Sequence, residues 1–232
     1  MSVTNSNVFD KSGLIRIEYD RFKGDDKIWG KINDTPILLT DFELQERRTS
    51  RSKSGGSKTY YKTLFNGLFL QIDFGKRFIG NTYITPHRKK GKQSTDPIYI
   101  KEKPAIAEGF FKSIMNTNTY EIPFIPVKHA SFPEMFTLHS TNPPSQLHVI
   151  NKDLLDYLTK AQQMVDYPLH FSFAQNHVNC VIDMPDTMFE PKIFTSPAKY
   201  KEVKFIYDIF LLVEAIVRIF ERNKEAWNEN NV

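Results

Sequence analysis

Apolar and polar positions alternate with a period near two over much of the chain, which predicts half-buried strands. Residues 13–19 (GLIRIEY) read as a half-buried strand or an extended leading segment, and 22–26 as a turn. In 27–32 (KIWGKI), Ile28, Gly30 and Ile32 fall on one side and Trp29 on the other. Asn33-Asp34-Thr35-Pro36 predicts a turn, because Asn and Asp tolerate turn geometry and Pro presets φ. Residues 37–45 continue as a strand with an irregularity near Thr40-Asp41.

The densest apolar stretch is 58–86, rich in aromatic and β-branched residues that suit a pleated sheet. It predicts strands over 59–65 and 68–74, joined by a tight turn at Asn66-Gly67, and a third strand over 78–85. Residues 46–58 (ERRTSRSKSGGSK) hold no apolar side chain and read as a flexible basic tip. Residues 87–93 (HRKKGKQ) read as a second basic loop.

The period changes further on. Ile106, Phe110, Phe111 and Ile114 have helical spacing behind Pro104, and 122–127 is a Pro-interrupted extended run. Strands follow over 135–139 and 146–150, separated by Asn142-Pro143-Pro144-Ser145. Asn151 can cap a helix over 152–165, whose stripe is Leu154, Leu155, Leu158, Ala161 and Val165. A hairpin across Gln175-Asn176 joins 169–173 to 178–184. Ser196-Pro197 opens a last helix, where Phe205, Ile206, Ile209, Leu212, Val213, Ile216, Val217, Ile219 and Phe220 cover half the circumference. The fold class is therefore α+β: a strand-rich antiparallel sheet, an amphipathic C-terminal helix packed across it, and a shorter helix near 152–165. Residues 9–227 read as one domain, divisible into lobes 9–95 and 126–227.

Composition narrows the function little. The chain has 232 residues, a formal charge of +4 and one cysteine, Cys180. Intramolecular disulfides are excluded, and a reducing compartment is expected. The polar N-terminus does not read as a signal peptide. Asp208, Glu214 and Arg218 interrupt the most apolar helix, so it is not expected to span a bilayer.

The order of small motifs is itself informative. Ser12-Gly13-Leu14, Gly24-Asp25, Trp29-Gly30-Lys31-Ile32 and Thr35-Pro36-Ile37 precede Phe65-Asn66-Gly67-Leu68-Phe69 and Asp73-Phe74. Phe132, Phe136, Phe171-Ser172-Phe173 and Phe189-Glu190-Pro191 follow. In this order the chain resembles an uncharacterised bacterial family of domains of unknown function, number 3137, whose members are sometimes labelled galanin-like. The resemblance runs from about 9 to 220 and is weakest over 88–127. It implies no catalytic residues. It also implies a cytoplasmic domain that in relatives often follows membrane-spanning helices, although no such helices are read in this chain.

No phosphate-binding Gly-Lys-Ser/Thr loop, dinucleotide fingerprint, His-Glu-x-x-His or Gly-x-Ser-x-Gly motif occurs. His170, His177 and Cys180 lack the partners of a four-ligand zinc site. His139 and His148 read as ordinary histidines, and Cys180 as a core residue rather than a thiolate. Asp73 and Asp183 lie in apolar strands, where burial would raise their pKa, but water-facing or amide-capping ends of strands are the simpler reading. No catalytic residue, metal or cofactor is assigned.

The basic loops carry the one functional signal. Arg47, Arg48, Arg51, Lys53 and Lys58, with Arg88, Lys89, Lys90 and Lys92, would form a cationic edge. The reading favoured is a non-enzymatic cytoplasmic module, at the inner face of the membrane, binding a partner protein or an anionic membrane surface. The alternative is an enzyme or small-ligand binder with a site between the two lobes, near Asp73 or Asp183. Nucleic acid is disfavoured because no aromatic residue reads as interleaved with the basic ones.

Overall fold

A computed structural model describes residues 6–24, 26–51, 56–75, 77–87, 96, 98–101, 119–142, 150–184 and 200–223. Helix α1 (Ser6–Ser12) is followed by strands β1 (Arg21–Lys23), β2 (Lys27–Ile32), β3 (Thr35–Arg51) and β4 (Ser57–Asp73). Next come β5 (Thr82–Pro86), β6 (Ile98–Lys101), β7 (Thr119–Ile122) and β8 (Phe124–Ile125). The chain continues through α2 (Phe132–Met135), β9 (Phe136–Ser140), α3 (Lys152–Met164), β10 (Leu169–Ala174), β11 (His177–Asp183) and α4 (Tyr200–Asn223). The large sheet runs β1-β3-β4-β11-β10-β5-β9-β8, with β2 also paired to β3, while β6 and β7 pair separately. Its pairings are antiparallel. The architecture is α+β, as the periodicity predicts.

Period-two alternation gives the sheet two chemically different faces. On one, Ile37, Leu39, Leu70, Ile72, Ile84, Leu138, Phe171 and Ile182 pack with α2, α3 and α4 in the main core. Helix α4 contributes Ile209, Leu212, Val213, Ile216 and Val217 to it, at helical spacing. Burying each such side chain stabilises by roughly 2 kcal/mol. Tyr157 Oη on α3 donates to the Leu212 carbonyl at 3.0 Å, and Asn151 Oδ1 accepts from the Leu154 amide at 2.9 Å, which caps α3. On the other face, α1 places Phe9 against Phe42, Phe69 and Phe22 in a smaller aromatic core.

Several local expectations change. The two strands expected over 59–65 and 68–74 are one continuous strand ending at Asp73, because residues 67–72 of β4 are paired on both sides, to β3 and to β11. A turn at Asn66-Gly67 would strip both neighbours of partners. Gly67 serves close approach instead: a Cβ there would lie 2.7 Å from the Ile182 carbonyl oxygen. The expected flexible tip over 46–58 is mostly paired strand, from Glu46↔Lys62 to Arg51↔Ser57. The irregularity lies at Leu44/Gln45 rather than Thr40-Asp41. Phe22 and Lys23, part of the turn expected over 22–26, pair with β3, and 14–19 carry no strand pairing. The third strand begins at Thr82, after Gly80 at φ +66°. The hairpins at Asn33-Asp34 and Gln175-Asn176 form as expected, with Asn33 and Gln175 at positive φ. The helix expected over 105–115, the strand over 146–149 and the cap at Ser196-Pro197 lie outside the described residues.

Candidate functional site

From Glu46 outward, β3 and β4 run on as a two-stranded ribbon with no third strand paired to it among the described residues. Six residues per strand extend it by roughly 20 Å. Residues 47–51 and 57–64 are exposed, so both faces of the ribbon meet solvent. The sequence over 46–62 carries Arg47, Arg48, Arg51, Lys53, Lys58 and Lys62 against Glu46 alone. That excess of five positive charges exceeds the +4 of the whole chain, so the rest of the molecule carries no net positive charge.

Register decides what each face presents. Arg47 lies opposite Tyr61, Thr49 opposite Thr59, and Arg51 opposite Ser57. The Arg21 guanidinium sits over the Tyr61 ring, 5.2 Å from its centroid. The other face pairs Glu46 with Lys62, Arg48 with Tyr60, and Ser50 with Lys58. There Arg48 is held by the Glu46 carboxylate at 2.8 Å, which offsets part of that face's charge. Asp20 stands at the ribbon's edge, where Oδ2 accepts from the Arg47 backbone amide at 2.7 Å.

Of the expected basic residues, the structure brings together Arg47, Arg48, Arg51 and Lys58. Lys53, Arg88, Lys89, Lys90 and Lys92 lie outside the described residues. Sequence reasoning missed Arg21, Tyr60, Tyr61 and Lys62. Tyr60 and Tyr61 correct the reading that no aromatic residue is interleaved with the cations. They stand across from Arg48 and Arg47, a juxtaposition that appears once β3 and β4 are paired in register.

The other candidates are accounted for by local structure. Asp73 Oδ1 accepts from the Gly75 amide at 2.8 Å and from Asn176 Nδ2 at 2.7 Å, so it organises a strand end. Asp183 is half-buried, and desolvation raises its pKa. A shallow open depression is lined by Asn33, Arg218, Glu221 and Arg222, and neither carboxylate lines it. Cys180 is fully buried in the main core, where desolvation pushes its thiol well above the ordinary value. His177 lies on the opposite face of β11 from Cys180, since positions three apart in a strand point to opposite sides. Among the described residues no three His, Cys, Asp or Glu side chains are grouped to hold a metal ion.

A row of cross-strand neighbours, Gln71, Asn179, Ser172, Tyr83 and His139, crosses the second face of the sheet. Gln71 Nε2 donates to Asn179 Oδ1 at 3.0 Å, and Asn179 Nδ2 donates to Ser172 Oγ at 3.2 Å. His139 Nε2 lies 2.9 Å from the Asp96 carbonyl; a carbonyl only accepts, so that nitrogen carries the proton. Desolvation lowers the pKa of His139, with Arg16 adding to the effect and the Asp96 bond opposing it. With His139, Tyr83, Ser172 and Asn179 each 2 % exposed or less, this row is a buried polar seam inside the fold.

His129 and Asp156, 2.9 Å apart, invite a catalytic reading, but His129 Nδ1 accepts from the Phe132 and Ser131 amides. Its second nitrogen must then carry the proton donated to Asp156, which leaves no basic lone pair. The dyad fixes the start of α2.

No helix among the described residues is long and apolar enough to cross a membrane. No curated protein and no solved structure matches the chain. Residues 63–222 match the family described as "Protein of unknown function (DUF3137)". The match takes in the inner part of β4, β5 through β11 and helices α2 to α4, well over half of the sequence, and the chain therefore belongs to the DUF3137 family.

Proposed function

We propose that this domain is a non-enzymatic binding module that docks on an anionic membrane surface through the β3–β4 ribbon. The reading has it working in the cytoplasm, against the inner face of the bilayer. The observation that carries it is the ribbon itself: a hydrogen-bonded arm, exposed on both faces, that concentrates the molecule's positive charge. Anionic headgroups attract such residues by about 1 kcal/mol per basic side chain near the surface, an attraction that salt screens. Tyr60 and Tyr61, each about half exposed at 45 % and 46 %, have the apolar body and polar tip that suit the headgroup level.

The test is co-sedimentation with phosphatidylcholine vesicles containing phosphatidylserine. Binding is expected at low salt and should fall steeply as salt rises. The triple substitution Arg47→Gln, Arg48→Gln, Arg51→Gln should weaken it about a hundred-fold. Salt-independent binding, or binding untouched by the triple substitution, would overturn the reading.

A further inference from the structure

The two faces of the ribbon carry similar charge in different chemical form. One presents Arg21, Arg47 and Arg51 with Tyr61 and the hydroxyls of Thr49, Thr59 and Ser57. The other presents Arg48, Lys58 and Lys62, with Glu46 bound to Arg48. Guanidinium groups bond phosphate oxygens in a planar fork, whereas an ammonium acts as a point charge. On the first face Arg47 and Arg51 flank the directly opposed pair Thr49 and Thr59. Their backbones are four residues apart on one strand, roughly 13 Å. A side chain as long as arginine can lean inward from each end toward a group resting on the two threonines.

We infer that this face binds the phosphomonoester headgroup of a membrane lipid, seated on the Thr49 and Thr59 hydroxyls between the Arg47 and Arg51 guanidinium groups. The inference rests on the membrane-docking reading and sharpens it, because it assigns one face and one headgroup chemistry. A phosphomonoester offers three acceptor oxygens and close to two negative charges, which matches two forks and two hydroxyl donors. Arg21, over the Tyr61 ring, orients that ring beside Arg47 and adds positive potential. Asp20 keeps its negative charge at the ribbon's edge, where Oδ2 accepts from the Arg47 backbone amide, and the three guanidinium groups of this face still exceed it by two. The Arg48 face turns away, and its role is non-specific attraction.

The experiment compares vesicles containing phosphatidic acid with vesicles containing phosphatidylserine, matched in surface charge, using the whole chain. Wild type should prefer phosphatidic acid by about five-fold. Arg47→Lys with Arg51→Lys keeps the charge and loses the forks, and Thr49→Val with Thr59→Val keeps the strand and loses the hydroxyls. Both should erase the preference, read as the ratio of phosphatidic acid to phosphatidylserine affinity within each variant. Arg48→Lys should leave the preference unchanged. Equal binding to the two vesicles by wild type, or an equal loss in Arg48→Lys, overturns the inference and leaves membrane docking standing. Absence of binding to either vesicle overturns both. Soluble glycerol phosphate that binds without a bilayer as tightly as the lipid overturns the assignment to a membrane headgroup.

Discussion

The same pair of strands lives in two environments. From Ile37 to Leu44, β3 lies against β4 with helices on one side and α1 on the other, and Leu39, Phe42, Leu44, Leu68 and Leu70 are almost completely buried. Past the irregularity at Leu44/Gln45 the hydrogen-bonded register continues, yet residues 47–51 and 57–64 are exposed. Pairing and burial are thus separable here. The inner half is held by apolar area removed from water. The outer half is held by backbone bonds and cross-strand pairs such as Arg48 with Tyr60, each contributing roughly 0.2–1 kcal/mol.

The largest expected difference between the halves is in packing. Leu70→Ala, at a position 1 % exposed, should lower unfolding stability by about 3 kcal/mol in urea denaturation. Tyr60→Ala on the ribbon should cost less than about 1 kcal/mol. Equal losses would mean the ribbon is packed and the contrast false. Glycine gives a second, smaller contrast. Gly67→Ala puts a methyl 2.7 Å from a backbone oxygen of β11 and should cost about 2 kcal/mol. Gly30→Ala, with nothing within 4 Å of the added carbon, should stay within about 0.5 kcal/mol.

This division also explains what the sequence made legible. Where burial sets the pattern, as in the α3 stripe and the Gln175-Asn176 hairpin, apolar periodicity found the elements within a residue or two, and the buried positions of the C-terminal stripe fall inside α4. Where pairing persists without burial, periodicity is silent, and 46–58 read as a loose tip. Asn66-Gly67 misled for a related reason. The dipeptide is compatible with a tight turn, but β3 and β11 on either side of β4 outweigh that local preference. The cations of the site were visible in composition. Their sorting onto two faces, and the placing of Tyr60 and Tyr61 among them, depend on a register that composition does not contain.

Acid should act on the covered half. His139 and His177 have pKa values below the ordinary 6.5, burial being the larger cause in each and the Asp73 charge opposing it for His177. The unfolded chain therefore takes up protons at these positions before the folded one does. Their contribution is complete above pH 6.5 and is lost as pH falls from there toward the depressed folded values. Asp183, raised by desolvation, works the other way: its contribution is complete below about 3.8 and is lost as pH rises through the folded value. Urea midpoints should drop between pH 7 and pH 5.5, and His177→Gln should flatten part of the slope. A chain lacking the ribbon should show the same slope, and a changed one would tie the ribbon to the core.

The smallest expected effect is the most decisive. Glu46 and Lys62 are cross-strand partners, and the Arg47 amide points away from β4 toward Asp20, so replacing 47–61 with Asn-Gly would close the hairpin by a two-residue turn suited to strand twist. Shortening this excursion removes little loop-closure entropy and no buried side chain, so stability should stay within about 1 kcal/mol of wild type. Vesicle binding should vanish in the same molecule. If stability instead fell by several kcal/mol, the outer half would have to be burying apolar surface against the rest of the chain. An arm that can be removed without disturbing the sheet, but not without losing its partner, is retained for what it touches outside the molecule.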